Sequence, residues 1–284
     1  VDGGSGWNGG WGINGSNGLP GNAMVQEGSL SYRDASGNLL IASGNHAHVA
    51  ASSKNAQFRR ALSTALGADA GTYYISFIGE RRGQPDSTVY VNPDTGQSNY
   101  YPNEYARNAQ MALLSTGLKE LGGIGQGSNN TADTWKVWAG NGLGYRDPAA
   151  DTGIQYSYNP SFVVVRVDVG AGDNGGNVFT FYHNPLLGSE GENSAALTAE
   201  AIDDDEGFVF ELGGLGMYIG NEGGGRAAAE MLFDEIRIGK TWTAAVPAFA
   251  DLDGDGIAND VDEDVDGDGV SNADEVAAGL NPMD

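Results

Sequence analysis

The residues best equipped for chemistry are the last thirty-four, Asp251 to Asp284, which read DLDGDGIANDVDEDVDGDGVSNADEVAAGLNPMD and hold twelve carboxylates with no Lys or Arg. Half of the formal net charge of −24 therefore sits there. Carboxylates this dense repel one another and keep a chain extended unless divalent cations neutralise them. The spacing indicates which cation. Asp251, Asp253 and Asp255 stand at positions 1, 3 and 5, Gly256 permits a sharp turn at 6, Ile257 offers its carbonyl at 7, Asn259 stands at 9 and Asp262 at 12. The series repeats from Asp264 with Asp266, Asp268, Gly269, Val270, Asn272 and Glu275, whose carboxylate can chelate with both oxygens. This is the twelve-residue calcium loop written twice, with oxygen ligands only, so Ca2+ is the expected metal and Cys or His chemistry is not.

An ordinary acidic tail would not repeat Gly, an apolar residue and Asn at the same three places. The first loop closes with Asp262 rather than a Glu, which predicts a weaker or differently closed site. Only Glu263 separates the loops, leaving no room for the helices that flank a sensor EF-hand. Stapling is expected rather than switching. In this arrangement the stretch resembles the thrombospondin type-3 and dockerin-like calcium repeats of secreted bacterial proteins, and Glu275 to Pro282 resembles their short helical exit, with Gly279 as its stop.

Whatever holds this tail must come from the preceding residues. At 284 residues the chain is long enough for one large core or two modest ones. It has no cysteine, so no disulfide supports it, and calcium loops of this kind fill readily at extracellular calcium levels. An extracellular, bacterial location is expected, with the chain as a mature form. No apolar run approaches the length of a membrane span. A pI near 4.1 predicts repulsion from nucleic acid and from anionic membranes. The 46 glycines punctuate short apolar runs, the habit of an antiparallel β protein with many turns.

Residues 1 to 22 are Gly-rich, but Trp7 and Trp11 give them aromatic anchors. Strands are expected at 28–33 and 38–43 around a turn at Asp34 to Gly37, then at 58–63, 72–80, 87–91, 110–116 and 134–140. The strongest signal is SFVVVRVDVG, residues 161 to 170, with Val163, Val165, Val167 and Val169 on one face and Phe162, Val164, Arg166 and Asp168 on the other. A hairpin carries it into 177–185, and strands at 208–212, 216–220 and 229–240 complete the set. One helix is expected, Ala-rich, over Glu192 to Ile202. Many short strands and almost no helix predict an all-β, two-sheet antiparallel sandwich with a small C-terminal calcium-loop module.

The hairpin VVVRVDVGAGDNGGNVFTFYHNP, the run LGGLGMYIGNEGGGRAAAEMLFDEIRIGKTWTAAVP, the opening WNGGWGINGSNG and the central TYYISFIGE resemble the laminin-G-like, concanavalin-type jelly rolls of secreted bacterial proteins. The likeness spans about residues 1 to 247 and implies a jelly-roll fold, with residues 248–284 as the tandem calcium loops and Pro247 to Ala250 as a linker. Such sandwiches host lectins, glycan-cleaving enzymes, adhesion modules and structural units alike.

No catalytic set is expected. Retaining hydrolysis needs two carboxyls roughly 5 to 5.5 Å apart, whereas Glu230 and Asp234 on one strand face would stand about 13 Å apart at the strand rise. Glu200, Asp203 and Glu206 have no better spacing, and Asp234, Glu235 and Arg237 read as a structural ion-pair network. His46 and His48 share a strand face without a third metal ligand nearby, and His183 ends its strand before Asn184-Pro185. Lyases on related jelly rolls need a Tyr/His pair with Arg and Gln, which no local stretch assembles. For sugar binding, aromatic platforms are wanted: Tyr100, Tyr101 and Tyr105 in one polar loop, Tyr145, Tyr156 and Tyr158 in another, and Trp138, with Trp135 on the opposite face in the core. The expected protein is a secreted, non-enzymatic calcium-binding structural or adhesive sandwich whose partners are glycans or other extracellular protein copies. Self-assembly into a homo-oligomer, filament or surface layer is the alternative, and polysaccharide hydrolysis or elimination a second one.

Overall fold

A computed structural model describes residues 5–14, 22–67, 69–83, 90–91, 98–99, 108–126, 134–139, 150–155, 159–172, 176–201, 211–221, 228–250, 252–253, 257, 259 and 262–283. The strands, in chain order, are β1 (Trp7–Ile13), β2 (Ala23–Glu27), β3 (Asn38–Leu40), β4 (Asn45–Ala50), β5 (Ala56–Leu66), β6 (Gly71–Gly83), β7 (Tyr90–Val91), β8 (Ser98–Asn99), β9 (Ala109–Leu114), β10 (Glu120–Gln126), β11 (Thr134–Ala139), β12 (Ala150–Gln155), β13 (Ser161–Val169), β14 (Asn177–His183), β15 (Leu197–Ala201), β16 (Leu212–Ile219), β17 (Ala229–Gly239) and β18 (Ala248–Ala250). The helices are α1 (Trp242–Ala245) and α2 (Asn272–Ala278).

Two seven-stranded antiparallel sheets make the sandwich: sheet I, in the order β1-β5-β16-β9-β10-β11-β12, and sheet II, in the order β15-β14-β13-β6-β17-β4-β2. Strand alternation explains the packing. In β13, Val163, Val165 and Val167 enter the core between the sheets, beside Ile75 and Phe77 of β6 and Phe179 and Phe181 of β14. Sheet I meets them with Met111, Leu113, Leu215, Met217, Trp135 and Val137. Trp135 is the centre of this layer, its ring 6.2 Å from Phe77, 6.3 Å from Phe181 and 6.1 Å from His183.

The opposite face of sheet II is buried as well. Tyr74, Ile78, Phe162, Val164 and Tyr182 lie under Tyr32, Leu40, Leu187 and Trp242, with Trp242 edge-on to Tyr74 at 6.1 Å and to Tyr182 at 5.3 Å. The turn at Asp34 forms because its carboxylate accepts the N–H groups of Ser36 (2.8 Å) and Asn38 (2.9 Å) and also that of Leu187 (2.7 Å), which ties the covering layer together. Glu190 anchors the same layer, accepting Tyr74 Oη at 2.6 Å, Tyr182 Oη at 2.7 Å and Arg166 Nη1 at 3.0 Å.

Several expectations change. The helix expected over Glu192 to Ile202 does not form: a single 3-10 turn at Glu190–Glu192 precedes β15, which pairs with β14 from Leu197↔Phe181 to Ala201↔Asn177. Alanine content favours a helix, but an available sheet edge outweighs so weak a preference. The expected linker is strand β18, with Ala248↔Leu40 and Ala250↔Asn38 paired and the Ile41 N–H donating to the Pro247 carbonyl at 2.9 Å. Residues 28–33 make only isolated bridges at Gly28 and Arg33, and the runs at 208–212 and 216–220 are represented by one strand, β16, with 208–210 outside the described residues. β1 pairs with β5 of its own sheet (Trp7↔Leu62, Ile13↔Phe58), and Arg60 lies over the Trp7 ring at 4.9 Å.

Candidate functional site

In the tail, the second loop is described throughout. The ligand oxygens of Asp264, Asp266 and Asp268 lie within 4.8 Å of one another. Backbone donors set this convergence: the Gly269 N–H on Asp264 Oδ2 (3.0 Å), the Asp268 N–H on Asp266 Oδ1 (3.2 Å) and the Val270 N–H on Asp268 Oδ1 (2.8 Å). Gly267 and Gly269 supply the left-handed turns, at φ of 70° and 89°. Ser271 caps α2 by accepting the Asp274 N–H at 3.2 Å, and Gly279, at φ 75°, ends it as expected. The helix thereby carries Glu275 inward, where it is 2% exposed.

Buried polar atoms ordinarily have partners. Glu275 Oε2, Asp264 Oδ1 and Asp262 Oδ2 are buried and have none. Burial, and then the Asp266, Asp268 and Asp264 carboxylates, push the Glu275 carboxyl above its ordinary value. Converging anionic oxygens with vacant lone pairs fit a hard divalent cation. In the first loop Asp253, Ile257, Asn259 and Asp262 are described, while Asp251 and Asp255 lie outside the described residues. Asn259 and Asn272 do the same job thirteen residues apart: each side-chain oxygen accepts the N–H of its loop's second residue, Leu252 at 2.8 Å and Val265 at 3.0 Å.

A second polar constellation lies on the outer face of sheet I. Since Met111 and Leu113 of β9 and Met217 and Ile219 of β16 point into the core, Gln110 and Tyr218 point away from it. The register places Tyr218, Gln110, Gly125, Lys136 and Asp151 in one row across five strands, beside a second row of Gly216, Ala112, Gly123 and Trp138. The second row has almost no side chain before Trp138. The Tyr218 ring lies over Gly216, where a Cβ would stand 2.7 Å from it and displace it.

Gln110, Lys136, Thr134 and Tyr218 are all buried, yet Gln110 Oε1 and Thr134 Oγ1 have no partner. Gln110 Nε2 donates to Glu120 at 3.1 Å, and Asn14 Nδ2 donates to Gln57 Oε1 at 3.1 Å and to Tyr218 Oη at 3.3 Å. Burial, and then Glu120, raise the Tyr218 pKa against the opposing influence of Arg59 and Asn14. The hydroxyl stays protonated at neutral pH, able to donate. Arg59, Gln110 and Tyr218 come from three strands far apart in sequence, so no local motif announces them.

Of the aromatic platforms expected from sequence, Tyr100, Tyr101, Tyr105, Tyr145, Tyr156 and Tyr158 lie outside the described residues, and Trp138 is placed by its backbone alone. Asp234 accepts Ser29 Oγ at 2.6 Å, the Leu30 N–H at 2.7 Å and the Glu235 N–H at 2.9 Å. Glu235 accepts the Ser43 N–H at 2.6 Å and pairs with Arg237. These residues hold the closing strand where it bulges, at Glu235 with φ 50°. His46 binds the Gly28 carbonyl at 2.7 Å and Gln26 Oε1 at 3.0 Å, and His48 contacts Glu230. His183 is half-buried with its Nε2 fully enclosed, beside Trp135, and that burial pushes its pKa down to about 4. Glu200 is on β15 opposite Val178, while Asp203 and Glu206 lie outside the described residues.

No family model matches the chain, and no curated protein matches it. Among solved structures it is similar to the T. cruzi calreticulin globular domain (9% identity, 77% of this chain and 84% of that one, TM-score 0.42). It is also similar to an endo-beta-1,4-glucuronan lyase from the fungus Trichoderma reesei (11%, 84% and 97%, TM-score 0.43) and to the Emp47p carbohydrate recognition domain (10%, 77% and 90%, TM-score 0.34). The fold assignment rests on the sheet order and pairing described above.

Proposed function

We propose that this chain is an extracellular structural or adhesive protein in which calcium stiffens the tail and the outer face of sheet I holds a glycan. The carrying observation for the metal is the 2% exposed Glu275, whose Oε2 is buried without a partner, in the loop whose Asp264, Asp266 and Asp268 oxygens converge. Asp264, Asp266, Asp268 and Glu275 would hold one Ca2+, with the Val270 carbonyl as a backbone ligand and Asn272 bracing the loop. Asp251, Asp253, Asp255, Asp262 and the Ile257 carbonyl would serve a second Ca2+, braced by Asn259. The bound cation supplies charge neutralisation, and the chain's own part is to bring the carboxylates together and bury one of them.

For the glycan, the supporting observation is a row of buried amide and hydroxyl groups, Gln110, Thr134 and Tyr218, beside the small residues Gly216, Ala112 and Gly123 on the outer face of sheet I. Amides, hydroxyls and a Tyr are what a polyhydroxylated ligand pairs with, and two of these groups have unused capacity. Of the carboxylates weighed as acids, Glu230 pairs with His48 and Asp234 holds backbone, as does its neighbour Glu235, while Glu120, beside the row, accepts from Gln110. This favours binding over hydrolysis. Calorimetry with polysaccharide fragments tests it: Gln110→Ala and Tyr218→Phe should each weaken binding about tenfold, one lost hydrogen bond to a ligand. Variants that bind like wild type would remove the site. Unsaturated products appearing from a uronate polymer, detected by ultraviolet absorbance, would turn the same face into a cleavage site.

A second reading, assembly from copies of this chain, has one observation in its favour. Leu252, Ile257, Val270, Val276, Leu280 and Met283 of the tail are all exposed large apolar residues. Sedimentation with and without calcium decides it, and a monomer under both conditions removes it.

A further inference from the structure

We infer, resting on the glycan reading above, that the saccharide held on the outer face of sheet I is acidic, and that Arg59 and Tyr218 receive the carboxylate of one of its sugar rings. Phe58 and Ile13 point into the core, so Arg59 of β5, next to Phe58, points outward. Its partners on both neighbouring strands are glycines, Gly12 of β1 and Gly216 of β16. Gly12 is exposed, with nothing within 4 Å of where a Cβ would stand, and the Tyr218 ring leans over Gly216. The half-buried Arg59 thus has no side chain directly opposite it on either strand, and the Tyr218 ring lies beside it.

Both groups are donors in want of acceptors. The chain holds 38 acidic residues against 14 basic ones, and the other arginines among the described residues are engaged. Arg82, Arg166 and Arg237 pair with Glu80, Asp168 and Glu235, while Arg33 and Arg60 donate to backbone carbonyls. Arg59 has neither a hydrogen bond nor an ion pair among the described residues. At Tyr218, Asn14 Nδ2 donates to the hydroxyl oxygen at 3.3 Å and to Gln57 Oε1, the acceptor next in the row, at 3.1 Å. The hydroxyl hydrogen is left without an acceptor among the described residues. A sugar hydroxyl would bring a donor of its own to this corner. A carboxylate brings acceptors alone: its two oxygens match the planar guanidinium fork, and a remaining lone pair takes the Tyr218 hydrogen.

Calorimetry on the full chain with three probes of equal length tests this: a uronate oligosaccharide, the same oligosaccharide with its carboxyls reduced to alcohols, and a sulfated neutral oligosaccharide. Wild type should bind the uronate about tenfold to a hundredfold more tightly than the reduced form, the worth of a charge-assisted pair, and more tightly than the sulfated one. Arg59→Gln should bind the uronate and its reduced form alike. Lys240→Gln, which removes an exposed positive charge at the end of β17 in sheet II, should keep the wild-type preference. Wild type that binds the reduced form as well as the uronate, or that prefers the sulfated probe, would overturn the inference while leaving the glycan reading intact, as would an Arg59→Gln variant that keeps the preference. Wild type that binds no saccharide would overturn both.

Discussion

His183 gives the sandwich a pH dependence that can be worked out from its position. Its Nε2 is buried beside Trp135 without a partner, and burial holds the imidazole neutral down to about pH 4, against an ordinary value of 6.5. In the unfolded chain the same ring takes its proton near 6.5. Between those values the unfolded state binds more protons, so stability falls as pH falls. Each unit costs about 1.4 kcal/mol, giving a loss of about 2 kcal/mol at pH 5 and about 3 kcal/mol at pH 4. Asp34 and Glu190, whose carboxyls are held below their ordinary values by hydrogen bonds that outweigh burial, add losses only below their unfolded values of 3.8 and 4.5. His183 supplies the loss between pH 6.5 and 5, and the opposite contribution of Glu80, whose carboxyl burial raises above its ordinary value, cancels when wild type is compared with a variant at His183 alone. Urea unfolding in saturating calcium at half-unit steps, for wild type and His183→Leu, measures it. The difference between the two proteins should shrink or change sign by about 2 kcal/mol across that window. Parallel curves would refute the buried, neutral imidazole.

Other consequences concern the closing strand and the core. Asp234→Ala leaves the Leu30 and Glu235 N–H groups and the Ser29 hydroxyl without their acceptor. It should cost about 3 to 5 kcal/mol in denaturant unfolding while leaving glycan affinity unchanged; an unchanged midpoint would return Asp234 to the list of possible catalytic acids. Gly79→Ala places a methyl 2.4 Å from Met231 Cε and 3.2 Å from the Trp135 ring. It should cost about 1 to 3 kcal/mol, and a neutral result would mean the core around Trp135 is looser than described. Removing residues 5–14 strips β1 from β5 and exposes Arg60 and Leu62. The truncated chain should melt several degrees lower but remain folded; loss of all cooperative unfolding would show that β1 is integral rather than peripheral.

The sequence disclosed most where a local period reports a local environment. The alternation in residues 161 to 170 named the two faces of β13 correctly because both are packed, Val163, Val165 and Val167 against sheet I and Phe162 and Val164 under Tyr32 and Leu187. In the tail, Asp264, Asp266 and Asp268, picked out by their spacing, lie with their oxygens within 4.8 Å of one another, because alternate residues of so short a loop are turned to one side by its own backbone hydrogen bonds. Two features were misread for opposite reasons. Residues 192 to 202 carry a helical composition that lost to pairing with β14, a partner contributed from outside the window. Ala248 to Ala250 is too short to show any period, and its strand character comes wholly from Leu39 and its neighbours. The Tyr218, Gln110 and Lys136 row was illegible because strand order, not sequence distance, makes them neighbours.

The most direct measurement is limited proteolysis of the purified chain in calcium and after exhaustive chelation, with the fragments identified by mass. The account predicts that residues 251 to 284 resist cleavage in calcium and are cut throughout once it is withdrawn, while the two sheets stay intact. A tail equally resistant in both conditions would contradict it.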